Sequence, residues 1–139
     1  MAKTFGTFEH TADVGLSAEA DTLGELFEAL AMALARFICP AETVRPDHVR
    51  QVAAQAEDVE ALAVDFLSEL LRLIQVDRLM VSEVNVKDAS AHSVRAEVHG
   101  ERYDPSRHEI HTEVKAVTYH QLKVAEEDGR WMGRVILDL

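Results

Sequence analysis

Apolar and polar positions first alternate at period two from Lys3 to His10. Thr4, Gly6 and Phe8 fall on one side and Phe5, Thr7 and Glu9 on the other, which predicts a strand. Leu16, Ala18 and Ala20 then alternate with Ser17 and Glu19, a second short strand. The stretch between them, HTADVG from His10 to Gly15, therefore reads as a connection. The period changes after Thr22. Leu23, Leu26, Phe27, Leu30, Leu34, Phe37 and Ile38 follow helical spacing and define one apolar stripe. Thr22 and Glu25 have capping-box spacing, and Pro40 stops the helix. Val49 to Glu57 reads as a strand weakened by its Ala and Gln content. Asp58 then caps a second helix whose wide stripe runs from Val59 through Leu62, Phe66, Leu70 and Ile74.

Leu79 to Lys87 and Ser93 to His99 read as paired strands, with Val84 and Val86 able to face Val94, Ala96 and Val98. Gly100 to Arg107, GERYDPSR, reads as a loop around Asp104-Pro105. The chain then runs from His108 to Val124 without Gly or Pro. Ile110, Thr112, Val114, Ala116, Thr118, Leu122 and Val124 would share one face, and His111, Glu113, Lys115, Tyr119, Gln121 and Lys123 the other. A helical spacing also exists there, but the β-branched content favours a strand. Asp128-Gly129 predicts a hairpin leading into a last strand from Arg130 to Leu139. The whole is an α+β (two-layer α/β) chain, one domain over 1–139, with two helices covering a largely antiparallel sheet.

Composition narrows the function. A hydrophobic share of 47% with 28% charged residues is that of a folded chain. The net charge of -11, with no Lys/Arg run, argues against nucleic acid as the direct ligand and favours a basic partner or a bound cation. The one cysteine, Cys39, excludes an internal disulfide and a cysteine-based zinc site, and reads as a small buried hydrophobe. No signal peptide and no membrane span is recognisable, so the cytoplasm is the expected compartment.

Candidate chemistry gathers at three places. On the predicted long strand Lys115, flanked by Glu113 and Tyr119, is a reactive or binding group, or else part of a solvated face. Asp13 in HTADVG is placed to meet something outside the core, or to cap a turn. The last strand delivers Asp138 beside the carboxylate of Leu139. If the N-terminal hairpin lies next to it, Asp13 adds a third anionic group. Three such groups repel one another unless a cation neutralises them, and oxygen ligands alone select Ca²⁺, Mg²⁺ or Mn²⁺. A terminus fraying into water is the plain alternative. Asp65 and Glu69, four apart on the second helix, are a carboxylate pair or a solvated face. His108 and His111 would lie on opposite strand faces and not chelate one ion. His120 would lie on the apolar face. Neither a phosphate-binding glycine loop nor a nucleophile elbow is present.

EHTADVG at Glu9 to Gly15, EDVEAL and DFLSELL in the second helix, KAVTYHQLKV at Lys115 to Val124 and WMGRVILDL at the end together resemble the archease family, in order and over nearly the whole chain. The resemblance implies a fold of two helices and two sheets. It also implies a role without catalysis of its own, as activator of an RtcB-type RNA ligase in tRNA splicing and RNA repair. That ligase guanylylates its own active-site histidine from GTP; an archease promotes the step, supports multiple turnover and can broaden nucleotide use. The family's metal ligands fall on Asp13, Asp138 and Leu139, with Ca²⁺ the first expectation, and its functional lysine on Lys115. The alternatives are a stand-alone metal-dependent phosphohydrolase and a chaperone or adaptor whose metal is structural.

Overall fold

A computed structural model describes residues 3–10 and 13–139, without the side chains of Phe8, Glu9 and His10. Strands β1 (Lys3–His10) and β2 (Asp13–Ala20) lead into helix α1 (Leu23–Ile38), strand β3 (His48–Gln55) and helix α2 (Val59–Gln75). Strands β4 (Leu79–Ala89), β5 (Ser93–Arg102), β6 (Ala116–Glu127) and β7 (Arg130–Asp138) complete the order. The strands form two antiparallel sheets rather than one. One has the order β1-β2-β7-β6 and the other β3-β5-β4.

Both helices start where the sequence places them. The Thr22 hydroxyl accepts the Glu25 N–H at 3.1 Å, and the Asp58 carboxylate accepts the Ala61 N–H at 2.8 Å. Each satisfies a donor that the first helical turn leaves unpaired. The box at Thr22 is only half formed, because the Glu25 carboxylate meets the Thr22 hydroxyl instead of returning to its backbone. Helix α1 is buried well beyond its predicted stripe. Leu26, Phe27, Leu30 and Leu34 fill one side, and Ala29, Ala31, Ala33 and Ala35 are buried as well. Their small side chains let α1 touch β2 of one sheet and β4 of the other. Helix α2 lies against β3 and β6, and Phe66 meets Phe27 of α1 with ring centroids 5.7 Å apart.

Several strand boundaries differ from the pattern reading. Asp13 is the first residue of β2, not part of a connection; Thr11 and Ala12, the middle of HTADVG, lie outside the described residues. β5 runs on through Gly100 and Glu101 to Arg102, into the stretch read as a loop. Gly100 is needed there because a Cβ would collide with the Met80 carbonyl and come within 2.9 Å of its carbon.

The long strand from His108 is corrected most. β6 begins only at Ala116, and 108–115 has no ladder. Within β6 a bulge moves the chain from Thr118 to Lys123 while β7 moves only from Ile136 to Arg134, with Gln121 at φ 52°. The bulge reverses the alternation: Val117 and Val124 are both buried, whereas His120, assigned to the apolar face, is exposed. In β7 three consecutive residues, Val135, Ile136 and Leu137, are all fully buried. At the turn that closes the same β6–β7 hairpin, Asp128 and Gly129 both have positive φ, 53° and 78°, the primed turn that the Asp-Gly pair predicts.

Candidate functional site

Asp13 opens β2 and Asp138 closes β7, and antiparallel register sets them opposite each other. The same register puts His10 of β1 opposite Asp13 and Ala116 of β6 opposite Asp138. One row therefore crosses the four-stranded sheet at its end: His10, Asp13, Asp138, Ala116. Val117 and Leu137, next along their strands, are buried in the core, so Asp13, Asp138 and Ala116 face away from the helices. Asp13 is half-buried and Asp138 exposed. Cross-strand partners have Cβ atoms about 5 Å apart, where two like charges oppose the pairing.

Lys115 joins this row from the unpaired segment. Its N–H donates to the Asp138 carbonyl at 2.8 Å. The residue before it, Val114, is only 2% exposed, and its carbonyl accepts a hydrogen bond from the Gln75 side chain of α2. A groove of ≈ 330 Å³ opens beside Lys115 between Ile38, Ile74, Ile110 and Val114. Asp13, Asp138 and Lys115 thus share one sheet end. Glu113 and Tyr119, expected to flank Lys115, are both exposed, and Tyr119 lies in the bulge. Leu139 follows Asp138 with its side chain partly buried against the core, which leaves its main-chain oxygens as the donor it could offer. Glu69 pairs with Arg72 at 3.7 Å.

The donors at this end are oxygens, the kind that suits a hard cation. Among the described residues no three His, Cys, Asp or Glu side chains converge as a metal site would need. The two aspartates fit such an ion in kind, with the main chain at Leu139 as the remaining donor.

A second polar cluster, missed in the sequence, anchors the segment leading to Lys115. Glu101 is 6% exposed. Arg107 grips it with two bonds of 2.7 and 2.6 Å, the Arg45 N–H donates to it at 3.0 Å, and His108 Nε2 lies 2.8 Å away. Asp104 N–H donates to His108 Nδ1 at 2.9 Å, so in the neutral ring the proton sits on Nε2 and points to Glu101. Arg107 above all, helped by these other donors and opposed by burial, holds the Glu101 carboxyl far below the usual carboxylate range. His108 is therefore a buried hydrogen-bonding residue on an irregular segment, not a strand-face histidine. The signal available was the run of charge around Asp104-Pro105, which resembles an ordinary loop.

The structure defines an α+β protein of two antiparallel sheets and two helices, with an acidic sheet end carrying a lysine. Comparison with known proteins carries the identification further. The profile of the Archease protein family matches residues 5–139. The chain is 38% identical to the protein archease of Pyrococcus abyssi over 99% of both chains. It is 40% identical to that of Methanopyrus kandleri over 94% of this chain and 96% of the relative. Its fold is similar to the solution structure of Methanobacterium thermoautotrophicum protein 1598, with a TM-score of 0.80 and 33% identity over 97% and 98% of the two chains. It is also similar in fold to a Thermotoga maritima crystal structure described as an archease and possible chaperone, with a TM-score of 0.60 and 19% identity over 95% and 94%. The chain belongs to the archease family.

Proposed function

We propose that this protein is a non-catalytic activator of an RtcB-type RNA ligase, acting in tRNA splicing and RNA repair. It promotes guanylylation of the ligase's histidine, supports multiple turnover and widens nucleotide use. The observation that carries the reading is the pairing of Asp13 with Asp138 at an exposed sheet end that also holds Lys115. These are the positions to which the family resemblance assigns function.

Asp13, Asp138 and the main-chain oxygen of Leu139 would hold a hard cation, Ca²⁺ in the first instance, with Mg²⁺ or Mn²⁺ as substitutes. When bound, that ion supplies the positive charge that lets two carboxylates face each other. Lys115, bonded through its backbone N–H to the Asp138 carbonyl, carries an ammonium suited to phosphate oxygens or to ordering the carboxylates. Phosphoryl-type transfer responds mainly to positioning and electrostatics, so a protein without a nucleophile can accelerate it from a docked surface.

The test is single-turnover guanylylation of the cognate ligase, with and without this protein, at controlled divalent ion. Stimulation that disappears with Asp13→Ala, while circular dichroism stays that of the folded protein, is the expected result. Undiminished stimulation by a folded Asp13→Ala variant would sink the proposal. Phosphatase turnover by the protein alone would replace it with the stand-alone hydrolase.

A further inference from the structure

The segment 108–115 runs beside the sheet without joining it, so its backbone groups need individual partners. Near its end those partners come from both sides of one peptide unit. The carbonyl of Val114 takes the side-chain amide of Gln75, 39 positions earlier in the chain, and the N–H of Lys115 takes the Asp138 carbonyl. The Val114 side chain is sunk in the core and supplies a third fixed point. Gln75 is the last residue of α2, is itself exposed, and has no packing reason to be an amide.

We infer that Gln75 is a positioning residue for Lys115: with Asp138 it clamps the Val114–Lys115 peptide and so fixes where the lysine leaves the chain. A lysine side chain is long and freely rotating, and only a fixed root gives its ammonium a defined field of reach. Releasing the carbonyl frees rotation on both sides of that peptide, and the lysine tip moves most because it is farthest from the pivot. The clamp also ties the Lys115 backbone to that of Asp138. Its importance for activity rests on the ligase-activating reading; the clamp itself does not.

The test compares Gln75→Glu, which keeps length and loses the donor, with Gln75→Lys, which restores a donor with adequate reach. In the isolated protein, amide hydrogen exchange at Lys115 should speed up about fivefold in Gln75→Glu and return toward the wild-type rate in Gln75→Lys. Unchanged exchange in Gln75→Glu would overturn the clamp, whatever the ligase does. In the guanylylation assay, Gln75→Glu should lower the maximal stimulation and leave the half-saturating concentration of this protein unchanged, with Gln75→Lys recovering it. Faster exchange with full stimulation would remove the functional part of the inference and leave the ligase reading standing. An absence of stimulation by the wild-type protein would instead sink that reading, with the exchange result still deciding the clamp.

Discussion

A single carboxylate, Glu101, receives hydrogen bonds from Arg45, Arg107 and His108 and so joins two other stretches of chain to β5. Its pKa is depressed in the folded state, chiefly by Arg107. The stabilisation is then complete above the ordinary carboxylate value of 4.5 and is lost as pH falls from there toward the depressed value. Glu101→Gln should lower the melting temperature by several degrees at neutral pH and flatten its decline below pH 4.5; parallel acid-unfolding curves for the two proteins would refute this. Cys39 offers a simpler residue-scale expectation. It is 2% exposed, and burial pushes its thiol upward in pKa. A small alkylating reagent should label it only as fast as the protein opens, so denaturant should accelerate labelling sharply. Burial of Cys39 was legible from its place at the end of an apolar stripe. The role of Glu101 was not, because Arg45, 56 positions earlier, and Arg107 and His108, across an irregular loop, leave no periodic trace.

At the scale of elements, the two helices mend the two sheets. Each sends a glutamate to a backbone N–H beside a strand irregularity. Glu28 of α1 accepts from Val86 at 2.8 Å, where the β4 register shifts, and Glu60 of α2 accepts from Val124 at 3.1 Å, just past the β6 bulge. Glu60→Ala leaves that donor without its acceptor and should cost about 1–3 kcal/mol in denaturant unfolding. Gly100→Ala meets the Met80 backbone instead of a movable side chain, and should cost about 3 kcal/mol in the same assay. Helix limits were legible because Thr22, Asp58 and Pro40 are local signals. The face assignments along β6 hold at Leu122 and Val124, which lie against the core, but fail at Val117 and His120, because the bulge adds residues to one strand and the sequence TYHQL carries no Gly or Pro to announce it. Of the candidate site, Asp138 could be placed at the end of the last strand by alternation, whereas Lys115 lies on a segment without a ladder, outside the strand expected for it. Their meeting with Asp13 depends on β2 and β7 pairing across more than a hundred residues, which periodicity does not encode.

For the whole molecule, the net charge of -11 accompanies a site at one end of one sheet. A basic ligase groove would attract this surface from a distance, and salt would weaken that attraction. Association measured by stopped flow should slow from low to high salt with dissociation little changed; a salt-independent association rate would exclude such steering. No described helix is long and apolar enough to cross a membrane.

The β6 bulge also matters for how copies of this protein treat one another. β6 is an outer strand of the four-stranded sheet, and an outer strand carries unpaired N–H and C=O groups that a neighbouring chain could use as a template. From Thr118 to Lys123 that template is interrupted, and Gln121 turns through the left-handed region. A flat strand from another copy would lose its register there after a few residues. The irregularity that misdirects a reading of the sequence thus serves as a guard against fibrous self-association along this edge.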